Sequence, residues 1–315
     1  MNLSEKNKFI KITKNIILST YEQQFLCNYK RKYSIEYYLN IMFELINNIN
    51  NWNTINKLID YKPIFKYDKT IPKYHWKTIQ NQFIKWSSDG IFKKAFDSFI
   101  NIKNEQKNEI DLYIDTTFIH NKYGVEGIAM NTDNKKKKAG KISLICDNDN
   151  FIYSISSIPI NIIKPKRKYK KRRKNNNKRR KRKYIKSKSL IKKNKTKGFI
   201  HDVNTIQFSI NNINKEYKFN ITLIGDKGYI TKNEYKFNKK KIILLTSKRN
   251  NQKKIKDNKL FVRLCKRRLV ENTIAKIKKN ERILVRKDHK LHTYMSWVYI
   301  CSLLHNLRVV NKINK

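Results

Sequence analysis

The spacing of apolar positions changes period several times along the chain. From residue 34 to 49, Ile35, Leu39, Met42, Phe43 and Ile46 recur at helical spacing. A second helix is predicted over YHWKTIQNQFIKWSSDGIF, where Trp76, Ile79, Phe83 and Trp86 repeat at i, i+3, i+7 and i+10. Pro72 precedes it and Gly90 is placed to end it. After a polar link, NIKNEQKN at 101–108, EIDLYIDTTFIH alternates as a strand does, with Leu112, Tyr113 and Ile114 leading to Asp115. KISLICD (141–147) and FIYSISSI (151–158) predict a hairpin about a DNDN turn. Helical spacing returns at Val203, Ile206, Ile210 and Ile213. FNITLIGDKGY (219–229) is a further strand ending at Gly225 and Asp226, and KIILLT (241–246) is another. RLCKRRLVENTIAKIKKNERI (263–283) reads as one helix with Val270, Ile274 and Ile277 facing a core. MSWVYICSLLHNL (295–307) is too short to cross a bilayer and reads as a buried final helix.

Three strands, a helix, two more strands and C-terminal helices make a mixed α/β pattern behind a helical N-terminal region. The expected division is a helical domain over 1–100 and an α/β domain over 108–315. For the first, two readings fit and do not exclude each other. Helices joined by a short loop with basic residues interleaved suit a helix-turn-helix-like DNA-binding unit, and the aromatic stripe also suits a plain helical core.

Charge narrows the partners. The chain has 315 residues and a formal net charge of +49, with a pI near 10.1. Such a charge repels itself unless a polyanion is bound, so nucleic acid is the leading partner and an anionic membrane surface the weaker one. Abundant Lys, Asn and Ile also fit an AT-rich coding sequence. Residues 164–197 hold 21 Lys or Arg and no acid. Such a block cannot bury a core and is expected to be disordered when free. It suits a loop that clamps DNA phosphates, a nuclear-localisation-like signal, or a solvated loop without a role of its own. Cys27, Cys146, Cys265 and Cys301 are scattered and form no Cys-x-x-Cys pair, which argues against a zinc finger and fits a reducing compartment. The N-terminus carries no apolar run of signal-peptide type.

Against this background three acids stand out. Asp115 lies within the first strand, Asp226 at the exit of the fourth, and Glu271 on the late helix between Arg267 and Lys278. At 100° per residue those last three fall within a sector of about 40°. A strand, a strand end and a helix can bring three carboxylates to one edge of a sheet. Hard oxygen donors of this kind bind Mg²⁺ or Mn²⁺, and two such ions serve in-line phosphoryl transfer. Asp111, Asp147 and Asp149 compete, but two of these sit in turn chemistry.

From residue 34 to 307 the chain resembles DDE-type transposases of the insertion-sequence class, close to the insertion-sequence-5 group. The motifs are the Trp-rich N-terminal segment, YIDTTFIH, the Gly-Lys-Ile-Ser-Leu strand at 140–144, GFIHDVNTI, LIGDKGY and RRLVENTIAKIKKNERI. The resemblance implies an RNase H-like catalytic domain, a mixed sheet flanked by helices, with Asp115, Asp226 and Glu271 as ligands of Mg²⁺ or Mn²⁺, two ions in number. It implies cleavage of double-stranded DNA at transposon ends and attack of the freed 3′-hydroxyl on target DNA. Arg267, Lys278 and Lys227 would contact DNA, with Arg172, Arg173, Arg179 and Arg180 of the basic block. His201 and Asp202 would support the site. Pairing two ends implies a homodimer in a synaptic complex, and no membrane is involved. The compartment expected is cytoplasm or nucleoid in a prokaryotic host, and nucleus or viral factory otherwise. Where some relatives have a Tyr three residues before the Arg, this chain has Leu264. The alternative is a domesticated or inactive transposase that only binds DNA.

Overall fold

The computed structural model describes residues 3–22, 34–48, 52, 76–100, 109–131, 137–163, 196–213, 219–247 and 258–313. Four helices come first: α1 (Leu3–Thr20), α2 (Ile35–Asn48), α3 (Trp76–Ser88) and α4 (Ile91–Ile100). The helices expected at 34–49 and at 76–88 are α2 and α3. Gly90 separates α3 from α4 at φ +71°, a left-handed conformation that suits glycine. Ile79, Phe83 and Trp86 are fully buried, so the aromatic stripe of α3 is core.

The α/β part begins with β1 (Glu109–Asn121), followed by β2 (Ala129–Met130), β3 (Lys138–Cys146) and β4 (Ile152–Ser157). A separate hairpin, β5 (Ile160–Ile163) with β6 (Thr196–Phe199), stands at the root of the basic block. Arg172, Arg173, Arg179 and Arg180 lie outside the described residues. Then come α5 (Asp202–Asn211), β7 (Asn220–Gly225), the short pair β8 (Lys236–Phe237) and β9 (Lys240–Lys241), and β10 (Ile243–Thr246). The chain ends in α6 (Asn258–Cys265), α7 (Arg268–Lys278), α8 (Glu281–Leu284), β11 (Val285–Arg286) and α9 (Leu291–Ile313).

The main sheet is mixed. Its long strands run in the order β4-β3-β1-β7-β10, with β2 on β3 and β11 on β1. β1 is antiparallel to β3 but parallel to β7 and β11, and β10 is parallel to β7. The β3–β4 hairpin turns as its Asn/Asp chemistry predicts. Asp147 Oδ1 accepts from the Asp149 and Phe151 amides at 2.8 and 2.9 Å, and Asn150 takes φ +65°. Strand alternation assigns the layers. Thr116 of β1 and Ser143 of β3 meet α5, through Asp202 at 3.1 Å and Ser209 at 2.8 Å. Asp111 and Thr117 meet the other layer, through Arg263 of α6 and Lys278 of α7.

The single helix expected over 263–283 is three pieces. Between α6 and α7 the backbone tightens to i→i+3 bonds, from Arg267 N–H to Leu264 O (3.2 Å) and from Leu269 N–H to Lys266 O (2.9 Å). Asn280, extended at ψ 119°, ends the run and caps α8 by accepting from the Arg282 amide at 3.1 Å. The expected strand over 219–229 stops at Gly225, where Asp226 opens a 3₁₀ turn, Lys227–Tyr229.

Helix α9 joins the layers. Phe83 stacks on Trp297 with ring centroids 4.1 Å apart, Phe96 meets Tyr299 at 5.9 Å, and the Arg282 guanidinium lies 4.6 Å over Trp297. The N-terminal helices therefore share one hydrophobic core with the C-terminal helix. Phe83→Ala should cost about 3–5 kcal/mol in urea denaturation. Combined with Trp297→Ala, the loss should fall short of additivity by about 1 kcal/mol; full additivity would uncouple α3 from α9.

Candidate functional site: a carboxylate cleft on the central strand

Asp115 sits midway along β1, the strand with neighbours on both sides. β7 pairs with β1 only as far as Tyr113, and β11 begins at His120. Between them β1 has an open edge, and Asp115 lies on it. Its Oδ1 accepts from the Thr116 amide at 2.8 Å. The Asp115 carboxyl is pushed up to about 6, first by burial, with the charges of Glu271 and Asp226 adding to it. The Thr116 amide and the Arg267 guanidinium oppose that rise.

Asp226 reaches the same place by register. Tyr113 is level with Ile224, so two more steps along both parallel strands set Asp226 level with Asp115. Its side chain accepts from the Lys227 amide at 2.6 Å and caps the 3₁₀ turn. Gly225 is needed for this turn, because a Cβ there would stand 2.9 Å from the Tyr229 ring. The Tyr229 ring is buried beneath the turn, and its hydroxyl, beside Thr116, has no hydrogen-bond partner among the described residues. Burial, then Asp115 and Asp202, raise its pKa.

Glu271 comes from α7 and pairs with Arg267 one turn earlier, at 2.7 Å. Lys278 closes the helix by donating to Thr117 Oγ1 at 2.5 Å and Phe118 O at 2.8 Å. Burial lowers its pKa and Asp115 opposes this. On the other face, Asp202 Oδ1 accepts from Lys141 Nζ at 2.5 Å and Thr116 Oγ1 at 3.1 Å. Asp202 thereby ties α5 to β1 and β3. His201 is exposed at the N-terminus of α5 and makes no side-chain capping bond. Lys227 is exposed on the turn. A polar cleft of about 480 Å³ runs along β1 here, walled by Asp115, Lys141, Asp202 and Lys278 with His120 and Asn131.

The three carboxylates expected to act together thus face one region, although among the described residues no three His, Cys, Asp or Glu side chains stand close enough to share a metal ion. Each is held by a partner of its own: an amide, an amide and a guanidinium. Their chemistry fits a divalent cation. All the donors are hard oxygens. Lys141, Thr116 and Tyr229 are neighbours of these acids that spacing alone did not single out. Lys141 had one signal, a charged residue leading an apolar strand.

Because the folded-state value of Asp115 lies above the ordinary carboxylate value, folding takes up a proton between about pH 4 and pH 6. The ionised carboxylate costs stability above that window and nothing below it. Asp115→Asn should therefore stabilise the fold at pH 7 by about 1–2 kcal/mol, after allowance for partial exposure, with the gain gone by pH 4. Urea titrations at the two pH values measure this, and a gain at pH 4 equal to that at pH 7 would refute it. Among protein families, curated proteins and solved structures, nothing matches this chain.

Proposed function

We propose that the chain is a DDE-type transposase that cleaves double-stranded DNA at transposon ends and joins the freed 3′-hydroxyl to target DNA. The observation that carries this reading is the convergence on Asp115. Asp226 is level with it on the neighbouring parallel strand, and Glu271 is near enough for its charge to raise the same carboxyl. A mixed sheet with an acid on its central strand, a second at the next strand's end and a third on a covering helix is what an RNase H-like core requires. The net charge of +49 supports a polyanionic substrate.

Asp115, Asp226 and Glu271 would hold Mg²⁺ or Mn²⁺, two ions on this reading. When bound, these supply an activated nucleophile and charge stabilisation at the leaving oxygen. The protein's own share is positioning. The Thr116 amide fixes Asp115, Arg267 orients Glu271, and Asp202 with Lys141 holds the strand beneath them. Lys227 and the basic block would meet phosphates, the helical N-terminal region, read as helix-turn-helix-like, would be a second DNA contact, and two protomers would pair the transposon ends. A second reading, a protein that binds DNA without cutting it, is favoured by one observation. The three acids are separately partnered and lie outside shared ligating distance.

Nicking of a duplex carrying the flanking genomic ends separates the two. Cleavage should require Mg²⁺ or Mn²⁺ and fall by at least about 100-fold in Asp226→Asn and Glu271→Gln, with DNA affinity nearly unchanged. Tight binding without nicking in either metal would favour the binding-only reading. Deleting 164–195 should flatten the dependence of log affinity on log salt, since fewer counterions are released. An unchanged slope would remove the block from the DNA contact.

A further inference from the structure

The α6–α7 segment that carries Glu271 has polar ties to β1 from both of its helices, and only one of them involves a residue of the proposed site. At the far end, Lys278 donates to Thr117 and to the Phe118 carbonyl. At the near end, Arg263 of α6 forms a two-pronged pair with Asp111 of β1, Nε to Oδ2 at 2.9 Å and Nη2 to Oδ1. Such a fork fixes direction as well as distance. Asp111 and Arg263 are both partly exposed, at 21% and 39% side-chain exposure, so it is the two-pronged geometry and not burial that sets the pair apart from a single-bonded surface contact.

The two fastenings match in length. From Asp111 to Thr117 is six steps of strand, about 20 Å at about 3.3 Å per residue. From Arg263 to Lys278 is fifteen steps through α6, the i→i+3 turn and α7, about 22 Å if all rise at about 1.5 Å per residue. Helix and strand run in the same direction with both ends in register. The midpoint of the strand span is Ile114 and that of the helix span falls between Val270 and Glu271. We infer that the Asp111–Arg263 pair is a positioning clamp that works with Lys278 to set the axial register of α6–α7 along β1, and so holds Glu271 opposite Asp115. The i→i+3 turn between α6 and α7 explains why a clamp is needed on this side. Without it, α7 keeps Lys278 on β1 at its last residue, the Thr273 hydroxyl donating to Asn150 Oδ1 of the β3–β4 turn at 3.1 Å, and its apolar face, while the clamp is the tie to β1 on the N-terminal side of Glu271. Neither Asp111 nor Arg263 touches the reacting atoms.

Hydrogen exchange of the full chain tests the clamp without reference to activity. Arg263→Gln should speed amide exchange across 266–277 about 10-fold while β1, β3 and β7 exchange as in wild type. The melting temperature should stay within about 3 °C, and Arg263→Lys, which keeps the charge but loses the fork, should recover only a minor part of the protection. Unchanged exchange in α7 would overturn the clamp. So would equal acceleration throughout the sheet, which would make the pair a general stabiliser. The catalytic consequence rests on the proposed nuclease reading. In the nicking assay Arg263→Gln should lower kcat about 10-fold with KM unchanged. Wild-type protein that cuts nothing would sink the nuclease reading while the exchange result still decides the clamp.

Discussion

A partly buried carboxylate in the middle of a central strand is the constraint on which the rest of this structure turns. Asp115 interrupts a run of fully buried residues, Leu112, Tyr113 and Ile114. Desolvation makes its charge expensive there, and the two nearest acids make it more so. The surrounding architecture keeps the carboxylate in place by local means. β7 stops short, which opens the edge of β1 and leaves room for the Asp226 turn. The Thr116 amide, which that open edge would otherwise leave unpaired, is satisfied by the same carboxylate. One side chain thus answers the hydrogen-bonding deficit that its own exposure at the edge creates.

The electrostatics of the chain sharpen this. In a protein with 73 basic and 24 acidic residues, several carboxylates around the cleft are paired with a cation. Asp111 has Arg263, Asp202 has Lys141, and Glu271 has Arg267. Among the described residues Asp115 forms no ion pair of this kind, although the Arg267 charge reaches it. Lys278 is close enough to feel Asp115, but its ammonium is committed to Thr117 and the Phe118 carbonyl. Burial, more than the neighbouring charges, is what raises the proton affinity of Asp115 in a chain with so many cations.

Much of this was legible in the sequence because the residues that carry it lie in strongly patterned segments. The alternation in EIDLYIDTTFIH placed Asp115 on a strand, and LIGDKGY placed Asp226 at a strand end, since Gly-Asp after an apolar run is a terminator. The split of 263–283 was not legible. Its periodicity of Val270, Ile274 and Ile277 is uninterrupted, and the break at Lys266–Arg267 comes from backbone tightening that no residue in that stretch announces. The roles of Lys141 and Asp202 escaped for a different reason. They meet across 61 positions of sequence, and local spacing carries no record of a contact set by the sheet. The stripe of α3 was read correctly as a helix face, yet only tertiary structure shows what it faces. Phe83 finds Trp297, a residue of the last helix.

The alternation of β1 explains how so small a set of side chains can hold both acids in place. Even-numbered residues point to α5, where Thr116 meets Asp202; odd-numbered residues point to α6 and α7, where Asp111 and Thr117 meet Arg263 and Lys278. Asp115 lies between the contacts on its own face and beside the one on the other. A shift of the strand along its axis would break bonds on both faces at once, and a one-residue slip would exchange the faces entirely. The position of the carboxylate is therefore over-determined by contacts that do not include it. The same is true of Glu271, whose place along the strand follows from fastenings on either side. The framework thus sets the Cα positions of both acids, while each carboxylate keeps a local partner, an amide for Asp115 and a guanidinium for Glu271.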